Sequence, residues 1–413
     1  MIEPLPLAQN KREWFIIIFI LFFIFVINLL IQYNKYLSFK TNEIYTTSAK
    51  IINIYDKLNY KVLKLDSKNI TFFTSYNQNI PLNKNDKIKL TIVTNNINFL
   101  DYIKGFYALS FNIFKITQHD SSLLYLNNLI SLQHKNNNIS ELFNALFFAT
   151  PTSSYLKNVS ANYGISHLLA ISGFHLGVLS FVLYFLINIL YKPLKQKYFP
   201  FRNTKFDILI LVSIMLFSYV LLLGLIPSLL RAFIMFILGI IFLRSNIKLF
   251  SFSTLLLVVL IIIALFPKLI FSLSLWFSTI GVFYIFLFLQ YYKNLNKIIL
   301  FFLFNIWIYL AMNPIVHFFF PIISYEQLYS PIFTIVFSLF YPVELFLHII
   351  NCGDLFDKYI EILLTYEVIT KEIFTPNIFL IYYIFISFLS IQYKNIFILL
   401  NISFIFFNLW LFI

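Results

Sequence analysis

Charged residues are scarce in this chain of 413 residues. Asp, Glu, Lys and Arg together make up 11% of the sequence, and apolar residues make up 60%. A soluble domain carries about 25% charged residues, and so little charge cannot cover the surface of a soluble protein of this length. The composition therefore places most of the chain in lipid, and it excludes a disordered chain, a fibrous protein and a disulfide scaffold.

Cysteine and several catalytic motifs are missing as well. The single cysteine, Cys352, cannot form an intrachain disulfide or a cysteine-based metal site. The sequence contains no Gly-x-x-x-x-Gly-Lys-Ser/Thr motif and no His-x-x-x-His-Glu or His-x-His-x-Asp motif. A P-loop motor is thereby excluded from the sequence, and nothing indicates a zinc hydrolase. We expect no catalytic residues, no metal and no cofactor.

Basic residues exceed acidic ones, and the net charge is +13. Multispan proteins accumulate Lys on their cytoplasmic side for topological reasons. The dominance of Phe, Ile, Asn, Lys and Tyr is also typical of A/T-rich coding sequences. The charge is therefore weak evidence for an anionic ligand.

The first apolar run, Trp14–Ile31, has the length that a bilayer requires. Lys11 and Arg12 precede it, which predicts a cytoplasmic N-terminus. A cleavable signal peptide is the rival interpretation, but the residues after the run offer no small-residue cleavage site. The pattern favours an uncleaved anchor.

Between about residues 32 and 162 the sequence becomes rich in Asn, Lys, Thr and Ser. Short segments in it alternate between apolar and polar residues, which predicts half-buried strands in a small antiparallel barrel or sandwich. Two helices are predicted after it, with Asp120 and Ser140 as N-caps. We expect this region to lie outside the membrane, on the periplasmic side. The predicted strands are Ile44–Tyr55, Tyr60–Asp66, Ile70–Tyr76 and Lys87–Thr94, and the predicted helices are Ser121–Gln133 and Ser140–Phe148.

Apolar runs follow in quick succession from Ser166 onward. The loop 191–205 and the turns at Arg244 and Lys293 carry basic residues, which predicts that they are cytoplasmic. The region 351–376 is too polar to span and is predicted to form an amphipathic, interfacial helix. The spans are predicted near 166–190, 206–226, 229–243, 249–266, 269–290, 298–318, 328–349, 377–392 and 395–413.

These patterns predict a polytopic α-helical membrane protein with about ten transmembrane helices. A small external β-barrel domain is predicted to follow the first helix. The predicted domains are a cytoplasmic tail and anchor (1–31), an external β domain (32–118), external amphipathic helices (119–162), a transmembrane core (163–350), an interfacial segment (351–376) and C-terminal helices (377–413).

Small residues recur in the first part of this core. On a continuous helix over 166–190 they would form one stripe at about 100° per residue. Close packing of helices through small residues explains such a stripe, and so does the widening of a passage. The stripe consists of Ser166, Ala170, Gly173, Gly177 and Ser180.

His167, Ser172 and His175 lie off this stripe, and the last two would share a helix face one turn apart. An ionisable side chain within a span is a candidate functional residue, although a neutral histidine can also simply bond a neighbouring helix. Two histidines without a nearby carboxylate do not make a metal site, and Ser172 lacks the Gly-x-Ser-x-Gly context of a nucleophile.

Arg231 is the sharpest candidate. The run Gly224-Leu225-Ile226-Pro227-Ser228-Leu229-Leu230-Arg231 predicts a helix end, a break and a new helix that begins at Pro227. An Arg one turn inside a helix start suits an anion such as phosphate. The alternative is an Arg that reaches out to the membrane interface.

The run Ser166-His167-Leu168-Leu169-Ala170-Ile171-Ser172-Gly173-Phe174-His175-Leu176-Gly177 resembles the signature of the ComEC competence family. The run Pro227-Ser228-Leu229-Leu230-Arg231-Ala232 is similar to a second motif of that family, and the resemblance covers roughly 140–350. Phe174 departs from the usual Leu, and Ala145–Ser153 matches poorly.

The resemblance implies an inner-membrane channel that carries single-stranded DNA into the cytoplasm during natural transformation. It also implies an OB-like external barrel, a periplasmic DNA receptor, and a cytoplasmic helicase or strand-binding protein. A homo-oligomer stays open. The chain resembles a short form without the C-terminal metallo-β-lactamase-like domain, so a separate nuclease is expected. The implied DNA-contacting residues are His167, Ser172, Gly173, His175, Gly177, Pro227, Ser228 and Arg231.

The residues alone leave two other classes open. A membrane glycosyl or polyprenyl-phosphate ligase would use Arg and His equally well, although such enzymes usually place a large external loop between late spans. A small-solute transporter would show an internal repeat of spans, which the sequence does not show convincingly.

Overall fold

The computed structural model describes residues 7, 10–41, 43–57, 60–67, 70–77, 82, 86–116, 122–169, 171–198, 201, 203–224, 227–248 and 251–413. Their backbone divides into two compact units. The sheet unit comprises Ala8–Tyr125 with Val259–Leu273, and the helical unit comprises Leu126–Val258 with Ser274–Ile413.

The sheet unit begins with one long helix and continues as strands. The four predicted strands are confirmed, each with its bounds within about two residues, because their apolar and polar residues alternate as a half-buried strand requires. The elements are α1 (Lys11–Lys40), β1 (Ile44–Asp56), β2 (Lys61–Ser67), β3 (Ile70–Tyr76), β4 (Lys87–Val93), α2 (Phe99–Lys104), β5 (Phe106–Tyr107) and β6 (Ser110–Ile116).

The strands form one mixed sheet in the order β5-β3-β2-β1-β4-β6. All neighbours are antiparallel except β3 and β5, which are parallel. Strand β1 is long enough to pair with β4 through its first half and with β2 through its second half. The register shifts between Ile51 and Asn53, as it does at a β-bulge, and this bends β1 between its two partners.

One face of the sheet carries the core of this unit. The alternation predicted for β4 is confirmed for Ile88, Leu90 and Ile92, which are buried, and for Lys87 and Lys89, which are exposed. Thr91, predicted to face outward with the two lysines, is buried. Further core side chains come from β1, β2, the end of α1 and α2. They include Ile51, Leu63, Leu65, Tyr36, Phe39 and Tyr102.

The rest of the chain is mostly helical. Two-residue strands β7 (Ile322–Ile323) and β8 (Lys371–Glu372) pair antiparallel, and short 3₁₀ segments lie at Pro267–Phe271, Tyr325–Tyr329 and Gly353–Phe356. The helices are α3 (Ser122–Ser131), α4 (Asn137–Phe148), α5 (Ser154–Asn162), α6 (Ser166–Leu169), α7 (Gly173–Tyr198), α8 (Thr204–Leu222), α9 (Pro227–Arg244), α10 (Phe252–Leu265), α11 (Leu273–Tyr292), α12 (Lys297–Phe319), α13 (Ser330–Ile349), α14 (Asp357–Thr365), α15 (Asn377–Leu389) and α16 (Lys394–Phe412).

Within the described residues, 7 helices are long and apolar enough to cross a membrane. They are α1, α7, α8, α11, α12, α13 and α16. The predicted spans 229–243, 249–266 and 377–392 coincide with the shorter helices α9, α10 and α15. The chain is therefore mostly helical with several candidate spans, and a total of about ten stays a prediction.

Three local predictions are wrong. The helix predicted over 166–190 is interrupted between Leu169 and Gly173. Ser140 is not an N-cap, because α4 begins earlier and the Asn136 side chain accepts a hydrogen bond from the backbone N–H of Asn138. The region 351–376 is only partly helical, since α14 is flanked by a 3₁₀ turn and by β8. The predicted cap Asp120 lies outside the described residues.

The burial of Phe72 gives a test of the sheet core. Its side chain is 1% exposed and stacks on Phe106 with ring centroids 5.6 Å apart. Phe72→Ala should destabilise the sheet unit by about 3–5 kcal/mol, the usual cost of deleting a buried Phe side chain. The neighbouring Phe73 is half-buried, and Phe73→Ala should cost about 1 kcal/mol or less.

Pulse proteolysis of the full-length protein in detergent, with urea as denaturant and cleavage read within residues 44–116, measures both variants. Equal losses for Phe72→Ala and Phe73→Ala would contradict this assignment of the core.

Candidate functional site

The interruption between α6 and α7 places the predicted site residues at a helix start. The Ser172 side chain accepts a hydrogen bond from the backbone N–H of Phe174 at 3.3 Å, which caps α7. The prediction that Ser172 and His175 share a helix face is therefore wrong, because Ser172 precedes the first residue of α7. They are still neighbours, because the backbone N–H of Ser172 donates to Nδ1 of His175 at 3.2 Å.

This contact fixes the chemistry of His175. A backbone N–H can only donate, so Nδ1 of the neutral ring accepts and the ring proton sits on Nε2. The Leu168 backbone lies near the ring, yet Nε2 is buried without a hydrogen-bond partner of acceptable geometry. The ring packs against Tyr341 and Phe337 of α13, with centroids 4.8 and 5.4 Å away. His175 therefore presents a buried donor that the described residues leave unused.

The turn before α6 is held by side chains from residues 324–330. Ser330 donates to the carbonyl of Gly164 at 3.0 Å, and Gln327 donates to that of Ala161 at 2.9 Å. Gly164 has φ +66°, a left-handed conformation that favours glycine. These contacts fix the path of the chain into the interruption.

His167 is exposed, and its Nε2 lies 3.4 Å from the Thr334 hydroxyl. The imidazole therefore faces α13 at the edge of the helical unit.

Arg231 lies one turn inside α9, which begins at Pro227 as predicted. The side chain is 6% exposed, so it does not reach out to an interface, and that alternative is wrong. Its Nη1 donates to the backbone carbonyl of Ser274 and lies 3.3 Å from the Ser274 hydroxyl, while Nε has no partner. No carboxylate forms an ion pair with Arg231 among the described residues. The side chains of Pro227 and Ser228 lie outside the described part of the structure.

The start of α7 lies beside the first turns of α9. A Cβ added to Gly173 would lie 3.9 Å from the Cβ of Ala232, the residue after Arg231. A Cβ added to Gly177 would meet no atom within 4 Å. Both glycines are exposed, so contacts within the chain do not require glycine at either position. Close helix packing therefore does not explain this part of the stripe. Ser166 lies on a different helix, and Ala170 lies outside the described residues.

The sheet unit carries aromatic side chains on the face opposite its core. Phe72 and Tyr76 are buried and cannot stack on bases, whereas Tyr55 and Tyr60 are exposed. Phe73 lies 6.5 Å from Tyr55 between ring centroids.

Neighbouring strands extend this arrangement. The Lys64 ammonium lies over the Phe73 ring at 5.7 Å, and Tyr107 pairs with Phe73 across β3 and β5 and is 53% exposed. Three aromatic side chains and one lysine thus follow one another across four strands. We call them the aromatic row: Tyr55, Lys64, Phe73 and Tyr107. The sequence does not single out Tyr107, because β5 has only two residues and therefore shows no alternation.

Comparison with known proteins adds one positive finding. Residues 151–391, more than half of the chain, match the sequence model of a family described as Competence protein. Neither a curated protein nor a solved structure matches the chain.

Replacement by alanine should affect protein stability in opposite ways at two glycines of the site, Gly164 and Gly177. Gly164→Ala should destabilise the protein by about 1–2 kcal/mol, because a Cβ is strained at positive φ. Gly177→Ala should leave stability unchanged or raise it by up to about 1 kcal/mol, because glycine is the poorer helix former. Thermal unfolding of the two variants in detergent measures both effects. A loss of stability in Gly177→Ala would show that the glycine packs against a neighbour.

Proposed function

Because the chain belongs to the competence protein family, we propose that it conducts single-stranded DNA through the membrane into the cytoplasm during natural transformation. Membership of this family indicates a role in DNA uptake, and the helices indicate a multi-pass membrane protein. The observation that carries the channel proposal is the buried guanidinium of Arg231, which has no acidic partner among the described residues.

A buried charge without a counter-charge is costly, so proteins usually pair it. A phosphate group would supply the missing negative charge and accept the unused N–H of Arg231. His175 would offer a second donor through Nε2. In this proposal Gly173, Gly177 and the capped helix start at Ser172 leave room for the DNA strand. Three further residues line the same DNA path: His167, Pro227 and Ser228.

The direction of transport requires a partner. Moving one charge across the membrane involves about 2.3 kcal/mol per 100 mV. DNA is anionic and the bacterial cytoplasm is negative, so every phosphate moves inward against the potential. The sequence contains no P-loop motif, and we therefore propose a cytoplasmic helicase or strand-binding protein that pulls the strand, with a periplasmic receptor that delivers it.

The basic loops support an inner-membrane orientation with a cytoplasmic N-terminus and a periplasmic region 32–162. We propose that the sheet unit in this region is an OB-like barrel. Its last segment supports this, because that segment pairs with β3 through Phe106 and Tyr107 and with β4 through Ser110–Ile116, which links the two ends of the sheet. The aromatic row would then stack on bases and draw the phosphates to Lys64.

Removal of the guanidinium tests the channel. Arg231→Ala should lower transformation by about tenfold or more, since a charged hydrogen bond contributes about 1.5–3 kcal/mol. Arg231→Lys should retain only part of the wild-type transformation, because a single ammonium cannot reproduce the planar fork of donors. Uptake of labelled DNA and the amount of protein in the membrane are measured together.

Arg244 is the matched control, because it is exposed at the other end of the same helix. Arg244→Ala should transform normally. Normal transformation by Arg231→Ala, with protein present in the membrane, would refute the role of Arg231.

The aromatic row is tested by binding. Phe73→Ala and Tyr107→Ala should each weaken binding of a single-stranded oligonucleotide to the full-length protein in nanodiscs by about tenfold, since stacking contributes about 1–3 kcal/mol per base. Phe114→Ala removes a ring that is 61% exposed on β6, outside the row, and should bind normally. Equal effects of all three variants would argue against a defined stacking face.

A further inference from the structure

A second cluster of titratable groups lies within the helical unit, where the loop after α3 meets the end of α13 and the start of α14. Nδ1 of His134 lies 2.9 and 3.1 Å from the two carboxylate oxygens of Asp357. Nε2 of His134 lies 2.9 Å from Nε2 of His348. Nδ1 of His348 lies 2.7 Å from the backbone carbonyl of Glu344 and 3.2 Å from its Oε2. These four residues form a continuous line, the His–His line.

The line needs one proton more than its two neutral imidazoles carry. A carbonyl cannot donate, so His348 must hold a proton on Nδ1, and its Nε2 accepts if the ring is neutral. His134 must then donate from Nε2. Its Nδ1 faces Asp357, so either this nitrogen also holds a proton or Asp357 does. Three contacts require three protons, and two neutral imidazoles supply two of them.

Glu344 ends the line inside α13. Its side chain is 1% exposed, and neither carboxylate oxygen has a hydrogen bond of acceptable geometry, although Oε2 lies 3.2 Å from Nδ1 of His348. A buried carboxylate without well-formed hydrogen bonds is a costly anion. Asp357 at the opposite end is 20% exposed, so the line runs from a group in contact with water to a group that is sealed off.

We propose that the His–His line is a proton relay that passes a proton from His134, which Asp357 holds in its charged form, through His348 to Glu344. The charged state begins with an ionised Asp357, a doubly protonated His134, a neutral His348 and an ionised Glu344. The Nε2 proton of His134 moves to Nε2 of His348. The Nδ1 proton of His348 leaves the Glu344 carbonyl for Oε2 of the same residue, and the new O–H of Glu344 then donates back to Nδ1 in place of the bond to the carbonyl. Both rings end neutral and Glu344 ends protonated, so the line keeps a total charge of −1 throughout.

Packing holds the two rings in position for this transfer. Phe143 stacks on His134 with ring centroids 4.8 Å apart and contacts the His348 ring at 4.5 Å. Gly353 is required beside them, because a Cβ there would lie 2.7 Å from Nε2 of His348. Gln133 donates to the carbonyl of His348 at 3.1 Å and accepts from the N–H of Gly353 at 3.1 Å. The direct contact of the two Nε2 atoms leaves no space for a metal ion between them.

The charged groups around His134 determine when the relay is loaded. Burial lowers the pKa of His134, while the Asp357 carboxylate and Glu344 act against this and His348 adds to it. Glu361 on α14 is engaged with Asn136 at 3.0 Å, and α4 presents Phe143 rather than a charged residue to the ring. The imidazolium form of His134 is lost as pH rises, and burial moves this loss below the ordinary histidine pKa. The relay therefore holds its extra proton on His134 only at acidic pH.

The relay also connects to the candidate site, although this consequence rests on the proposed function. Glu344 lies one turn from Tyr341 on α13, and the Tyr341 ring contacts His175. Protonation of Glu344 would remove a negative charge near the path of an anionic strand. The relay itself is independent of DNA, so its failure and the failure of the channel are separate outcomes.

The charge states are measurable because the sequence contains only 6 histidines. Nitrogen NMR of ¹⁵N-histidine-labelled protein in nanodiscs, assigned by single replacements, should show an imidazolium at His134 and a neutral His348 protonated on Nδ1 in the acidic range. Asp357→Asn should abolish the imidazolium of His134, and Asp354→Asn, at an exposed acid three residues earlier, should not. Two neutral rings throughout the pH range in which the protein is folded, with no protonated-carboxyl infrared band that Asp357→Asn or Glu344→Gln removes, would overturn the proton count.

The transfer itself is tested by a drop in pH followed by infrared spectroscopy. The band of a protonated carboxyl that disappears in Glu344→Gln reports Glu344. Its rise should slow about a hundredfold in His134→Gln, the low end of what a positioned proton-transfer group contributes. Gly353→Ala should slow it too, because it displaces His348 without removing a titratable group. An unchanged rate in either variant, with the fold retained as judged by thermal unfolding, would overturn the relay.

Discussion

A membrane-spanning helix must satisfy its own backbone hydrogen bonds, and its first N–H groups need partners from outside the helix. In the signature region this concerns the start of α7, a candidate span. The helix is interrupted between Leu169 and Gly173. Side chains from a segment about 160 residues later hold the preceding turn between α5 and α6, since Gln327 and Ser330 donate to the carbonyls of Ala161 and Gly164. Ser172 then restarts the helix as a cap. The positions of His175 and Gly173 follow from this arrangement, so the candidate site depends on the polar residues that replace a continuous helix.

The helical unit buries charge in two different ways. Arg231 keeps a permanent charge beside a carbonyl and a hydroxyl, with no acid in contact among the described residues. The His–His line instead places two carboxylates and two imidazoles together, so its charge is adjusted by protons. Arginine cannot lose its proton in this way. The first arrangement suits a ligand that brings negative charge, and the second suits a ligand that is itself a proton.

Local patterns in the sequence were sufficient for much of the fold. The strands of the sheet were predictable because burial of one face imposes a period of two on residues such as Ile88, Leu90 and Ile92. The start of α9 was predictable because Pro227 has the backbone angle of a first helical residue and no N–H to leave unpaired. The family was recognisable from the same two runs that hold the interruption and Arg231.

Long-range contacts were not predictable in this way. The break at Ile171 and Ser172 follows Leu168 and Leu169, which are good helix formers, and no local pattern in the sequence marks the end of α6. His134 and His348 are 214 positions apart, and neither shows a local pattern that would pair them. Ser140 was a plausible cap, but Asn136 lies one turn earlier and is also a preferred capping residue. Alternation does not say which face of a sheet is the core, so it could not predict that Phe72 and Tyr76 are buried and that Tyr55 is exposed.

The exposed face of α7 changes from glycine to phenylalanine along its length, and this change bears on where a DNA strand could run. Positions 173, 177, 181 and 185 follow one another at intervals of four and share a face. Gly173 and Gly177 leave bare backbone on it, whereas Phe181 and Phe185 are 70% and 56% exposed. Large apolar rings suit lipid, and bare backbone does not shield polar groups from it. The change therefore falls within two turns of Ser172, on the part of α7 that lies beside Arg231 through Ala232. On the proposed function, the polar strand would occupy the glycine end of this face and lipid the phenylalanine end.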